Sequence, residues 1–210
     1  MSSKIRTARS QAERSEKTRR ELVAAARESF AIEGYAATLL DSVAQRAGVT
    51  KGALYHHFDG KKELFEAVFQ GEQKKLAAIG MRAYAGKRSA RAGFYDACAA
   101  FLEASLDPAV QRITLLDGPA VLGWERLREI ENQHALSNLR QGLERAVAQG
   151  LMAPRPVEPL VQILNGAICE AAMYIARSND APHALQHVLA ELSIVIDALI
   201  KAPRRGRTPR

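Results

Sequence analysis

Apolar residues recur along the chain at spacings of three and four, and no segment alternates apolar and polar residues over any length. The first pattern is typical of amphipathic helices, whereas strict alternation is typical of half-buried strands. A first long helix is predicted from about Ser15 to Glu33, and Gly34 supplies a residue that can end it in a left-handed conformation. The sequence therefore predicts an all-α fold.

Two short helices are predicted directly after this long one. Thr38 is placed to cap the first of them, with Asp41 three residues on as its capping-box partner. Gly48 then permits a turn, and Thr50 can cap the next helix, Lys51 to about Phe58. A helix, a glycine-containing turn and a second short helix form a helix-turn-helix unit. Residues 15–62 are predicted to be this three-helix unit.

The remainder of the chain is predicted to form a larger helical domain over residues 63–202, for a total of about nine helices. A helix from about Lys61 to Ala85 would join the small unit to this domain. Further helices are expected near residues 90–106, 108–116, 119–149, 159–177 and 182–202. The long segment 119–149 has a possible break near Trp124. Proline near a helix start and Gly150 after a helix end fit the usual asymmetry of helix termini.

The last two predicted helices are apolar on more than one face. Such a helix needs two burial partners, which here can be the protein's own core and a second subunit. The alternative is a helix pair fully buried in a monomer. The pattern favours a homodimer formed through residues 159–202.

Charge is distributed unevenly along the chain, whose net charge is +7. Residues 1–62 hold 12 Lys and Arg against 7 Asp and Glu, residues 63–200 hold 13 against 16, and residues 201–210 hold 5 against none. We expect residues 1–14 to be a flexible basic arm and residues 203–210 to be a disordered basic tail. A small unit with an excess of positive charge suits a polyanion such as DNA.

The short helix after the turn, in the stretch "VTKGALYHHFDGKKELF", has the features of a recognition helix that enters the DNA major groove. Leu54 and Phe58 are four residues apart and can pack inward. The small residues at its start let the helix approach base edges, so the base-facing surface is predicted to comprise Lys51, Gly52, Ala53 and His56. Donors expected at the rim of the groove, where phosphates lie, are Thr50, Tyr55, His57 and Lys61.

At this point the sequence resembles the tetracycline-repressor (TetR) family of bacterial transcription regulators. The resemblance lies in "RRELVAAARESFAIEGYAATLLDSVAQRAGVTKGALYHHFDGKKELFEAV", Arg19 to Val68. It implies the same base-facing and phosphate-facing positions and adds Thr38 to the phosphate contacts. Leu39 and Leu40 depart from the family pattern, which often has a second Thr and a β-branched residue there. The resemblance also implies a dimer with a ligand pocket in the C-terminal helices.

Side-chain chemistry suggests which residues form that pocket, although each of them has an ordinary packing or surface role as its alternative. The expected apolar wall comprises Phe94, Phe101, Trp124, Met173 and Tyr174, and the candidate polar anchors are Asp117, His134, Asn165 and Glu170.

Other classes of function receive little support. The chain has no nucleophile elbow, phosphate-cradling glycine loop or zincin motif, so an enzyme is not expected. A membrane-surface protein with basic amphipathic helices is a further alternative. Neighbouring His56 and His57 diverge around a helix, and His183, His187 and Glu191 more simply form a solvated face, so no metal site is predicted. Cys98 and Cys169 are interpreted as packing residues, and no cofactor is expected.

The sequence thus predicts a homodimeric regulator, a repressor rather than an activator, that binds a palindromic DNA operator and responds to a small-molecule effector. A TetR-like activator or a regulator that needs a co-repressor is the alternative. The polar, basic N-terminus has no apolar core of a secretory signal, and the longest apolar runs are interrupted by charge. We therefore expect a cytoplasmic protein without a transmembrane helix.

Overall fold

The computed structural model describes residues 2–87 and 89–200, with side chains from Gln11 onward. These residues form eleven α-helices and one π-helical segment, and no strand occurs among them. The α-helices are α1 (Ser2–Ala37), α2 (Leu40–Arg46), α3 (Lys51–His57), α4 (Lys61–Tyr84), α5 (Ala90–Ala104), α6 (Pro108–Val110), α7 (Gly118–Leu122), α8 (Trp124–Gln133), α9 (Ala135–Ala148), α10 (Glu158–Arg177) and α11 (Ala181–Leu199). The π-helical segment, Gln111–Asp117, lies between α6 and α7. The predicted all-α fold is confirmed.

Two glycines shape the helix-turn-helix unit. Gly34 interrupts α1 with φ 78° and ψ 167°, a backbone conformation in which a side chain is strained. Gly48 turns the chain between α2 and α3 at φ 67°. Both turns stand where the sequence predicts them, because only glycine enters the left-handed region without steric cost.

The helix α1 begins earlier than predicted. Its backbone is helical from Ser2, whereas the sequence placed the helix start near Ser15 and a flexible arm before it. The hydrophobic spacing that guided the prediction starts only at Leu22, and polar helical residues carry no such signal. The predicted disordered tail, residues 203–210, lies outside the described residues, and the domain boundaries stay predictions.

The start of α2 differs from the prediction. Leu39 occupies the capping position and makes no side-chain capping bond. The Thr38 side chain is instead turned inward, 1% exposed, and its hydroxyl donates to the Gly34 carbonyl oxygen at 2.8 Å. The predicted capping box is therefore wrong, and the buried hydroxyl gives no support to a phosphate contact from Thr38. The Gly34 carbonyl oxygen also accepts the backbone N–H of Thr38 at 3.2 Å, so Thr38 makes two hydrogen bonds to the residue at the helical break.

The helix α4 connects the helix-turn-helix unit to the rest of the protein. Its first half contributes Leu64, Phe65, Val68 and Phe69 to a core shared with α1, α2 and α3. The same core continues into Ile113 of the π-helical segment and into α7 and α8 through Leu122, Leu127 and Ile130. The hydrophobic core therefore crosses the predicted boundary at residue 62, and the two units share one packed junction.

Two smaller cores lie in the C-terminal helices. One is built around Phe94, Leu136, Leu143, Val161 and Ile196, and the other around Leu102, Ala172, Ile175 and Ala184. An ion pair between Arg91 and Asp197 joins α5 to α11. These contacts place α10 and α11 beside α5 and α9, with one face of each terminal helix left in solvent.

Polar contacts also secure the junction between the N-terminal and C-terminal helices. The backbone N–H of Tyr35 donates to Asp117 Oδ2 at 2.8 Å, just past the break at Gly34. Arg27 Nε donates to Glu72 Oε1 at 2.8 Å, and its Nη2 donates to Asp107 Oδ2 at 3.3 Å. The orientation of α1 is thus fixed by α4, by the residue that caps α6 and by the π-helical segment.

Candidate nucleic-acid interface and ligand cavity

The helix α3 has a buried side and a solvent side, as the sequence predicts. Leu54 and Phe58 are completely or almost completely buried in the core of the first three helices. Gly52 and His56 are exposed, and the Tyr55 side chain is 47% exposed. The solvent side therefore begins with small residues and ends with aromatic and imidazole groups, a surface that fits a DNA major groove.

The predicted cap of α3 is confirmed. The Thr50 hydroxyl oxygen accepts a hydrogen bond from the backbone N–H of Ala53 at 3.1 Å. A hydroxyl that accepts one bond still has its own proton to donate. Thr50 is exposed, so its hydroxyl proton is available to a phosphate oxygen next to the start of α3.

Lys51, predicted to contact bases, is held by an acidic neighbour in the free protein. Its ammonium group lies 2.8 Å from Asp41 Oδ1, and both side chains are mostly exposed. The hydrogen bond to Asp41 raises the pKa of Lys51, so the ammonium group stays charged. A DNA phosphate or base must therefore compete with Asp41 for Lys51.

Lys61 also has an intramolecular role that the sequence did not indicate. Its ammonium group donates to the carbonyl oxygens of Ala36 and Thr38 at 3.0 and 3.1 Å. The same group lies 4.7 Å from the centre of the Tyr35 ring, a cation–π contact. Lys61 thus secures the connection between α1 and α2, and its predicted phosphate contact stays a prediction.

A partly open cavity of about 390 Å³ lies between the C-terminal helices. Five helices form its wall, namely α4, α5, α9, α10 and α11. Most lining side chains are apolar, among them Met81, Phe94, Phe101, Leu164, Ile168 and Leu192. A cavity of this size with a mostly apolar wall is suited to a small organic ligand.

Three of the nine residues predicted for a ligand pocket line this cavity, namely Phe94, Phe101 and Asn165. Asp117 instead binds the backbone of Tyr35, and Trp124 is exposed with the Arg128 guanidinium 4.1 Å from its ring centre. The remaining predicted residues do not line the cavity, namely His134, Glu170, Met173 and Tyr174. The structure therefore does not bring these six residues to this cavity, and their assignment to a ligand pocket gains no support from it.

Helical geometry explains why Asn165 lines the cavity while Tyr174, on the same helix α10, does not. Nine residues separate Asn165 from Tyr174, which turns the side chain about 180° around the helix axis. Asn165 therefore faces the cavity while Tyr174 faces solvent. Apolarity alone could not separate the two faces of a helix that is apolar on both.

Comparison with known proteins decides the family. Residues 22–68 match the family described as bacterial regulatory proteins, tetR family. Residues 91–199, more than half of the chain, match the family described as tetracyclin repressor-like, C-terminal domain. The chain belongs to the TetR family.

Related proteins resemble both parts of this TetR-family protein. A TetR-family transcriptional regulator from Pectobacterium atrosepticum is 32% identical, with a TM-score of 0.78 over 91% of this chain and 98% of that one. The transposon Tn10 TetC protein of Escherichia coli is 26% identical over 168 residues, 78% of this chain and 83% of that protein. The HTH-type transcriptional regulator SrpR of Pseudomonas putida is 44% identical over 69 residues, about a third of each chain. The family and its named regulators identify this TetR-family protein as a transcriptional regulator and not an enzyme.

The sequence did not indicate several cavity residues of this TetR-family protein. Tyr84, Asn138, Gln141 and Arg145 supply polar groups from α4 and α9. A signal was present on α9, because Asn138, Gln141 and Arg145 follow one another at spacings of three and four and so share a face. The sequence does not show which neighbouring helices pack against this face of α9.

Removing the acidic partner of Lys51 is expected to strengthen DNA binding by this TetR-family protein. In Asp41→Asn, the ammonium group of Lys51 is released and a negative charge next to α3 is lost, so phosphates are attracted more strongly. We expect about three- to tenfold tighter binding to non-specific duplex DNA at low salt. Fluorescence anisotropy with a labelled random duplex measures this affinity.

The control for this prediction is Glu158→Gln, which removes the same charge from an exposed ion pair with Arg140 at the start of α10. If only the net charge matters, both variants bind DNA equally tightly. An equal gain in the two variants would refute a specific role for Asp41.

Proposed function

We propose that this TetR-family protein is a transcriptional repressor that binds a palindromic operator as a homodimer and is controlled by a small molecule. The exposed face of α3 carries this proposal. It presents Gly52, Tyr55 and His56 outward on a short helix that is capped by Thr50 and anchored by Leu54. In a symmetric dimer, two such helices would read half-sites about one DNA turn, roughly 34 Å, apart.

The named relatives include both a repressor and an activator. A probable acrEF/envCD operon repressor of Escherichia coli is 43% identical over 53 residues, a quarter of this chain. The transcriptional activator FasR of Mycolicibacterium smegmatis is 45% identical over 60 residues. We favour the repressor because its control needs little. A ligand bound in the cavity that alters the spacing of the two α3 helices is sufficient to release an operator, and no contact to the transcription machinery is needed.

A continuous path supports control by a ligand. The helix α4 lines the cavity through Leu76, Ala77 and Tyr84 and carries Phe65 in the core beneath α3. A ligand that binds better to one position of α4 than to another therefore changes the placement of the DNA-binding helices. Ion pairs and hydrogen bonds join α1 to α4 at the junction. The DNA-binding helices should therefore move together with α4 as one packed unit.

The solvent faces of α10 and α11 support a homodimer. They expose the large apolar side chains of Ile163, Tyr174, Ile194 and Val195. By length and composition α10 could also span a membrane, since its most apolar window has a mean hydropathy of 1.3. The charged residues Glu158, Glu170 and Arg177 on this helix fit a subunit interface rimmed by water better than a lipid environment.

A charge placed on this face is expected to separate the subunits. In Ile194→Asp, a carboxylate would be buried without a partner in the proposed interface, so we expect monomers at micromolar concentration and at least tenfold weaker operator binding. Sedimentation velocity gives the oligomeric state. Ile32→Asp is the matched control, because Ile32 is similarly exposed, 74% against 62% for Ile194, but lies on α1. A dimeric Ile194→Asp variant would refute this interface.

Footprinting tests the operator directly. The purified protein is bound to the intergenic DNA beside its own gene, at two salt concentrations and with excess non-specific competitor. We expect a protected palindrome that survives competitor. Tyr55→Ala should bind all DNA about tenfold more weakly, because a hydroxyl proposed to donate to a phosphate is lost. Binding that competitor abolishes, or that is unchanged by Tyr55→Ala, would contradict the proposal.

A further inference from the structure

The positive charge of the N-terminal unit lies before its helix-turn-helix and not within it. Residues 2–20 of α1, here called the basic stretch, hold 7 Lys and Arg against 2 Asp and Glu. Residues 21–62, which contain the rest of α1 together with α2 and α3, hold 5 against 5 and carry no net charge. The charge excess that attracts a polyanion to this unit therefore resides in the first part of α1.

Most cations of residues 21–62 are already engaged within the protein. Lys51 is paired with Asp41, and Lys61 donates to two backbone carbonyl oxygens. Arg27 and Arg46 form ion pairs with carboxylates. Each of these cations must give up or share such a contact before it neutralises a DNA phosphate. The helix-turn-helix alone is thus a weak source of electrostatic attraction for DNA.

The basic stretch projects from the core beside the end of the recognition helix. Leu22 is the first buried side chain that the structure describes on α1, and residues 11–21 before it are exposed or half-buried. The Arg19 guanidinium lies 5.2 Å from the ring centre of Phe58, the residue that caps the C-terminal end of α3. The basic stretch is therefore rooted next to α3.

The length of the basic stretch lets it reach beyond the groove that α3 would occupy. From Arg19 the helix continues back to Ser2, which is about 25 Å at about 1.5 Å per residue. The major groove is only about 12 Å wide. A helix of this length that starts at one end of α3 can extend past the groove edge to the phosphates outside it.

The described side chains of the basic stretch are available to phosphates. Arg14, Lys17 and Arg20, here called the basic row, are all exposed. Successive members are three residues apart and so are neighbours on the helix surface. Lys17 lies 3.6 Å from Glu21, an exposed pair of the kind that contributes little and that a phosphate can displace.

We propose that the basic stretch is a second DNA-contacting element, which binds the phosphates that flank each half-site while α3 enters the major groove. This inference rests on the proposed function and adds a separate partner surface to it. Because each phosphate contact releases counterions, the basic stretch supplies a large share of the salt dependence of DNA binding. The base edges that α3 faces supply the sequence preference.

Neutralising the basic row tests the proposal. In the triple variant Arg14→Gln, Lys17→Gln and Arg20→Gln, glutamine keeps a long polar side chain with good helix propensity. We expect at least about tenfold weaker binding of a labelled random duplex at low salt. The slope of log affinity against log salt should become shallower by at least about one, because up to three phosphate contacts per subunit are lost. Fluorescence anisotropy between about 50 and 200 mM salt measures both.

A matched control removes the same charge elsewhere. Lys74→Gln, Arg82→Gln and Arg155→Gln replace three exposed cations that lie outside the first three helices. This control should keep the salt slope of the unmodified protein to within about 0.3, because only the net charge changes. Circular dichroism checks that each variant is folded.

A second triple variant keeps the proposal testable if the first one does not fold. Lys4→Gln, Arg6→Gln and Arg9→Gln neutralise the outer part of the basic stretch, ahead of the residues nearest the core. This variant should also make the salt slope shallower by at least about one.

Two results would overturn the inference, namely an unchanged salt slope after neutralisation of the basic stretch, or an equal change in the control. Footprinting on the same preparations separates this failure from failure of the proposed function. If the unmodified protein protects its operator while the salt slope ignores the basic stretch, the protein remains a regulator whose α1 does not contact DNA. Absence of any footprint with the unmodified protein contradicts the regulator itself.

Discussion

Phe65→Ala is expected to lower the free energy of unfolding by about 4 kcal/mol. The Phe65 ring is completely buried and makes edge-to-face contacts with two other rings, Phe30 at 5.1 Å and Tyr35 at 5.2 Å between centroids. Alanine would leave a cavity between α1 and α4 and remove both aromatic contacts. These rings flank the break at Gly34, so the support of the DNA-binding helices is lost with them.

Chemical denaturation followed by circular dichroism measures this change. Phe65→Leu should cost less, because leucine refills part of the space. Ile32→Ala is the control for removal of a large apolar side chain, since Ile32 is 74% exposed on α1, the helix that carries Phe30, and should change stability by no more than about 0.5 kcal/mol. A loss below about 1 kcal/mol for Phe65→Ala would show that the rings do not stabilise the junction.

Arg27→Met has the second largest expected effect: it should lower the free energy of unfolding by about 2–3 kcal/mol. Glu72 is 2% exposed and receives two hydrogen bonds from Arg27, at 2.8 and 3.1 Å, and one from Lys75 at 2.8 Å. Methionine fills similar space but leaves the buried carboxylate with Lys75 alone. Because water reaches the partly exposed Arg27, the loss is smaller than for a fully buried pair.

The stability that the Arg27–Glu72 pair contributes should depend on pH. Burial by itself raises the pKa of Glu72, but the hydrogen bonds from Arg27 and Lys75 outweigh it and hold the pKa below its ordinary value of about 4.3. The stabilisation is therefore present above that ordinary value and is lost as the pH falls through the lower pKa of the folded state. Arg27→Met should accordingly cost most at neutral pH and least in acid, where Glu72 is protonated in both proteins.

Two further variants separate this buried pair from ordinary surface charge. Arg46→Met breaks an exposed pair with Glu28 and should change stability by less than about 0.5 kcal/mol. The double variant Arg27→Met with Glu72→Leu removes the uncompensated charge and should recover much of the loss. Equal losses in Arg27→Met and Arg46→Met, or a pH-independent difference, would show that Glu72 is not stabilised by Arg27.

Much of the DNA-binding unit was predictable because its signals are local. A capping hydroxyl, a glycine turn and apolar residues four apart act within a few residues, so Thr50, Gly48, Leu54 and Phe58 are found where the sequence predicts them. Thr38 is the exception. Its choice between capping α2 and bonding to the Gly34 carbonyl depends on the turn of the backbone after Gly34.

The ligand cavity was less predictable because it depends on contacts between distant segments. Amphipathic spacing shows that a helix has an apolar face, but α10 is apolar on two faces, and only the packing of α5 and α9 decides that Asn165 points inward. For the same reason the sequence did not predict that Arg145 and Tyr84 line the cavity, because their contact joins α9 to α4.

By itself the sequence determined that this protein is all-helical, where its recognition helix begins, and which family it resembles, since periodicity, capping and turn residues are encoded over short stretches. Only the tertiary structure decided that Asp41 holds Lys51, that Lys61 binds the carbonyl oxygens of Ala36 and Thr38, and that Phe94, Phe101 and Asn165 line one cavity. Each of these depends on which side chains are brought together from different helices, and that is set by packing in three dimensions.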